Sequence, residues 1–115
     1  MIESYSHSGE DFKAVLTYEG WKIGLLRKSE RFSTEGIWER HTMTDEAFVL
    51  LLGAATLFAK DESGNIEKVE MKNDVLYNVP KGVWHHIIVA DEDTTVLVVE
   101  NSNTSALNTE KILPA

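Results

Sequence analysis

From Glu46 to Glu100 the chain falls into a series of short segments, EAFVLLL, ATLFAK, IEKVEM, DVLYNV, WHHIIVA and TTVLVVE. Each is rich in β-branched or aromatic residues and ends in turn formers, the pattern of strands and not of helices. None holds a 3.6-residue apolar period for long. The separators DESGN and DEDT, with Pro80 and Gly82, supply local turn chemistry. Upstream, FKAVLTY and WKIGLLR flank Glu19-Gly20 and predict a hairpin, with the glycine expected to take the positive φ of its turn. So many short strands in 115 residues point to an all-β sandwich or barrel. A chain of this length suits one core, so a single domain over residues 1–115 is expected. Its strands fill about residues 12–101, and the terminal segments serve as an edge or a cover.

Composition narrows the partners. Eleven basic residues against nineteen acidic ones leave a formal charge of -8, which repels nucleic-acid phosphates and anionic headgroups. No apolar run approaches the ~20 residues of a membrane span, and the polar start MIESYSHSGEDF does not read as a signal peptide. The expected location is the cytoplasm. With no cysteine, any bound metal must be held by nitrogen and oxygen. AFVLLL and TTVLVVE are apolar on both faces, so the outer face is expected to meet a second copy in a homodimer, or else to lie under a terminal segment such as NTSALNTEKILPA.

Polar groups crowd the mouth of one apolar strand in ERHTMTDEAFVLLLG. On an extended strand Glu39 and His41 share a face, Met43 follows them as core or pocket lining, and Glu46 returns a carboxylate after the turn at Thr44-Asp45. A second candidate group lies in VPKGVWHHIIVA, where alternation sends one of His85 and His86 inward without saying which.

These two stretches together resemble the motifs of the cupin superfamily, small jelly-roll barrels also described as double-stranded β-helices. His41, four residues, Glu46, six residues and Gly53 match the later part of the first motif. Pro80, Lys81, Gly82, Val83, Trp84 and His85 match the second. The likeness runs from Trp38 to Glu100. Glu39 stands where the family usually has its first histidine, the early glycine is displaced to Gly36, and Asn73 or Asp74 takes the place of the glycine that precedes the proline.

The resemblance implies a cupin barrel and selects His85 over His86. It also implies a divalent ion, whether zinc, manganese, iron or nickel, held by His41, Glu46 and His85 with Glu39 as a fourth ligand. Imidazole and carboxylate suit all of these metals. The expected function is a metal-binding barrel that takes a small organic molecule, conceivably as an isomerase or dioxygenase. The alternatives are a non-catalytic ligand sensor or a metal-free barrel.

Overall fold

A computed structural model describes residues 1–33 and 37–112; Gly36 and the last three residues of the C-terminal stretch fall outside them. Ten strands form: β1 (Phe12–Tyr18), β2 (Trp21–Arg27), β3 (Trp38–His41), β4 (Glu46–Leu52), β5 (Ala55–Lys60), β6 (Ile66–Glu70), β7 (Leu76–Val79), β8 (Trp84–Val89), β9 (Thr95–Asn101) and β10 (Thr109–Ile112). Two short 3-10 turns are the helical content of the described residues. None of this is long and apolar enough to cross a membrane as a helix.

The strands assort into two five-stranded sheets, β1-β2-β9-β4-β7 and β10-β3-β8-β5-β6, with antiparallel pairing throughout the named strands. This is the jelly-roll arrangement. The sheets are hydrogen-bonded separately, so the expected barrel is a pair of facing sheets and not one closed ladder. Alternation along each strand fills the space between them. Phe48 and Leu50 of β4, Val96 and Val98 of β9, Leu57 of β5, and Ile87 and Val89 of β8 are all buried.

The turns show why particular residues sit where they do. In the β1–β2 hairpin the residue with positive φ is Glu19 at 45°, not Gly20, a correction to the sequence reading. Gly53 has φ 85°, and an added Cβ would lie 2.2 Å from Thr94 Oγ1, so only glycine fits that corner. Asp74 takes φ 65°, a left-handed conformation that aspartate tolerates better than most residues.

The C-terminal stretch does not drape over the outer face. It returns as β10 at the edge of the second sheet, pairing with β3 so that Thr109 lies opposite His41.

Candidate metal centre

The two motif segments meet through the backbone before any side chain is considered. Gly82 N–H, in the turn ahead of β8, donates to the His41 carbonyl at 2.8 Å. Asp45 fixes the same turn from the other side: its carboxylate accepts from Lys81 N–H at 2.9 Å and from Asn78 Nδ2 at 3.1 Å. The end of β3 and the start of β8 are thereby held together at one end of the sandwich.

Three inward side chains converge there. His41 ends β3, Glu46 opens β4, and His85 is the second residue of β8; each is less than 9% exposed. Glu46 Oε1 lies 3.2 Å from His41 Nε2 and 2.8 Å from His85 Nε2. One ligand atom from each of the three lies within 4.8 Å of the others, close enough for all to reach one ion. Each imidazole is oriented from behind. His41 Nδ1 is 2.9 Å from Thr109 Oγ1, and His85 Nδ1 is 3.1 Å from the Val83 carbonyl.

Alternation along β8 sends His86 to the opposite face. It is buried there all the same, stacked on Phe58 at 4.5 Å and edge-on to Trp38 at 4.5 Å. Met43 is neither core nor lining: it is 59% exposed, with Asn108 Nδ2 3.8 Å from its sulfur.

Glu39 lines the same cavity as the three inward residues but stands outside their group. Its carboxylate faces Lys111 Nζ at 3.7 Å and Arg31 Nη1 at 4.0 Å. A different acid comes close to the centre. Glu100, on β9 directly opposite Glu46, is 7% exposed, and its Oε2 is 4.0 Å from His41 Nε2. The sequence reading passed over it, although Val96, Val98 and Glu100 recur at the strand period and the first two are core.

The electrostatics follow from burial and neighbours. Burial alone would raise Glu46, but hydrogen bonds from His41 and His85, and their charge, hold it far below the ordinary carboxylate range. Burial works against the charge on His41, yet Glu46, then Glu100 and Glu39, raise it above its usual value. Glu100 is pushed up to about 7 by burial, then by the charge of Glu46 beside it, with His41 and Lys22 opposing. A cavity of about 140 Å³ adjoins these groups, walled by Phe12, Leu26, Phe48, Ile87 and Val98, with Arg31 among its charged lining.

No family model and no curated protein sequence matches the chain. Solved structures do. Oxalate decarboxylase from Bacillus subtilis at pH 4.6 superposes with a TM-score of 0.66 at 21% identity, covering 82% of this chain and 24% of that one. A structure of the same enzyme concerned with its Mn(II) centres gives a TM-score of 0.60 at 19% identity, over 83% of this chain and 24% of the enzyme. A cupin-2 domain containing protein from Shewanella frigidimarina NCIMB 400 matches at TM-score 0.59 and 20% identity, over 79% of both chains. The chain thus spans about a quarter of the oxalate decarboxylase structures it matches and most of the small cupin. It has the cupin fold: two facing antiparallel sheets that enclose a histidine and carboxylate cluster at one end. In length it matches the small cupin among these, and it carries a His-Glu-His cluster that could hold a metal ion.

Proposed function

We propose that the protein holds one divalent metal ion between His41, Glu46 and His85 and binds a small organic molecule in the adjoining cavity. The observation that carries this reading is the orientation of His85. Its Nδ1 faces a backbone carbonyl, which can only accept, so the proton of the neutral ring belongs on Nδ1. The Nε2 lone pair then points at Glu46 Oε1, another acceptor, 2.8 Å away. Two acceptors aimed at each other need a second proton on the ring or a cation between them. A carbonyl fixing the tautomer behind a ring nitrogen is the usual support for a metal-ligating histidine.

The spacing fits as well. Two atoms each ~2.1 Å from one ion lie ~3.0 Å apart when they subtend a right angle at it. The observed separations of 3.2 and 2.8 Å bracket that value. Zinc, manganese, iron and nickel all accept such a donor set, and the Mn(II) centres of a structural neighbour make manganese the first to try.

When bound, such an ion polarises a substrate oxygen or binds a small oxidant. The chain's own residues would do the rest. The apolar residues Phe12, Leu26, Phe48, Ile87 and Val98 would pack against the ligand, His41 and His85 stay oriented from behind, and Glu46 would hold the ion. The cavity of about 140 Å³ is close to the ~150 Å³ of a cavity that accommodates benzene. This favours a small organic acid or diketone of about six heavy atoms over a sugar nucleotide. Isomerase-type and dioxygenase-type chemistry both remain open to the site, as does ligand sensing without turnover.

Elemental analysis of the purified protein, with His41→Ala and His85→Ala alongside, tests the reading. Close to one equivalent of metal is expected in the parent protein, with loss of most of it in each variant. Metal content unchanged in both variants rejects the assignment, and no metal bound even on addition favours the metal-free barrel.

We propose further that the protein is a cytoplasmic homodimer joined through the outer face of the first sheet. The register aligns Leu16, Ile23, Val99 and Ala47 in one row and Leu25, Leu97, Val49 and Leu76 in the next. Five strands at ~4.8 Å make a face ~24 Å across, on the scale of a stable interface patch. Two such faces pack against each other about a two-fold axis as sheets do in a sandwich.

A further inference from the structure

We propose that Glu100 is a fourth protein ligand of the ion, through Oε2, so that the centre comprises two histidines and two carboxylates with the second acid supplied by β9. This rests on the metal reading above and adds a residue that neither sequence motif contains.

Its position is set by register. Glu100 pairs across the ladder with Glu46, so their side chains leave the same face of the first sheet as neighbours. Val96 and Val98, at the same phase of β9, are 0% and 1% exposed, which carries Glu100 inward with them. Glu100 is itself 7% exposed, and it borders the same cavity as His41, Glu46 and His85.

The two carboxylate oxygens have different surroundings. Oε1 has a cation, Lys22 Nζ at 3.7 Å. Oε2 is buried and accepts no hydrogen bond from a donor, while lying 4.0 Å from His41 Nε2. Burying a carboxylate oxygen with nothing to satisfy it is costly, and so is placing it beside a second carboxylate. A cation shared with Glu46 removes both costs at once.

Distance agrees with this role. Ligand atoms ~2.1 Å from an ion are separated by ~3.0 to ~4.2 Å, according to the angle between them. The 4.0 Å to His41 lies within that span. Glu100 is not among the three residues whose ligand atoms all lie within 4.8 Å of one another, so its carboxylate must move closer to share their ion. Rotation of its terminal carboxylate is a soft motion that no hydrogen bond on Oε2 resists. Glu39 differs in its setting: its side chain is 27% exposed, and Arg31 and Lys111 both face its Oε1. Two carboxylates on a dication would give a formally neutral cluster, and the second oxygen donor makes the set better suited to a hard ion such as manganese.

The test is calorimetric titration of the metal-free protein with Mn(II), comparing the parent with Glu100→Gln, Glu100→Asp, Glu39→Gln and His85→Ala. Mn(II) electron paramagnetic resonance on the loaded forms gives a second readout. Glu100→Gln is expected to weaken Mn(II) at least tenfold and to change the resonance line shape, with Glu100→Asp intermediate. Glu39→Gln should stay within twofold of the parent. Parent-like affinity and spectrum in Glu100→Gln, with binding still lost in His85→Ala, overturns the role of Glu100 and leaves the three-residue centre standing. Affinity unchanged in His85→Ala as well, or no Mn(II) binding by the parent, overturns both.

Discussion

Glu46 and Glu100 face each other across a ladder of two core strands, and a pair of buried acids so placed makes the metal-free protein sensitive to pH. Glu100, at about 7 against an ordinary 4.5, holds its proton more tightly in the folded chain than in the unfolded one. Between those two values the folded state binds more protons, so stability is full below about pH 4.5 and declines as the pH rises through 7. His41, raised above 6.5, acts in the same direction: its contribution is present below 6.5 and is lost as pH passes its elevated value. Glu46 acts oppositely, since it is lowered from 4.5 and its contribution disappears only as the pH falls below that. The expected result is a metal-free melting temperature that falls by roughly 5 °C between pH 5 and pH 7.5, allowing for solvent screening. With saturating metal the trend should reverse, because the ligands must be deprotonated to bind. Melting curves at the two pH values, with chelator and with added Mn(II), check both signs. A metal-free melting temperature that rises with pH would refute the account of the carboxyl pair.

At the scale of elements, β10 is a short edge strand, and it is the one that orients His41. Thr109 lies opposite His41 in the ladder and presents Oγ1 to its Nδ1 at 2.9 Å. Thr109→Val keeps the branched shape and the strand but removes that partner. It is expected to weaken metal binding by about tenfold, the scale at which hydrogen bonds behind a metal-ligating histidine act, with little change in melting temperature. Titration with metal beside a melting curve separates the two effects, and unchanged affinity would show that the hydroxyl has no hold on the ring. Strands such as these were the most legible part of the sequence. The strand EAFVLLL matches β4 residue for residue, and the inward phase of His41 and Glu46 follows from alternation. Glu100 obeys the same alternation, yet it lies in no motif, and only the β4–β9 register puts it beside Glu46. β10 was harder to foresee, because NTEKI has few strand formers and pairs as an edge through backbone groups that carry no side-chain signal. The engagement of Glu39 by Arg31 and Lys111 was also illegible, since Lys111 arrives only through the pairing of β10 with β3 and Arg31 only through the turn between β2 and β3.

For the whole molecule, the proposed contact surface is the outer face of the first sheet. Leu97 sits in the middle of the outer rows, between Leu25 and Val49, while its neighbours Val96 and Val98 point into the core. Leu97→Glu introduces a charge at the centre of the proposed two-fold contact, where each copy would meet the other's. Light scattering is expected to give a dimer mass for the parent and a monomer mass for the variant, with metal content unaltered. A parent that is monomeric at tens of micromolar would dispose of the interface. The site itself should survive dissociation, because all the residues named in it come from one copy.

The link from Gly82 N–H to the His41 carbonyl involves no side chain of either partner. That peptide contact does not depend on which ring or acid occupies position 41, and it ties the end of β3 to the turn ahead of β8 within one sheet. A scaffold tied in this way leaves the side-chain donors free to be exchanged one at a time while the backbone between them stays joined.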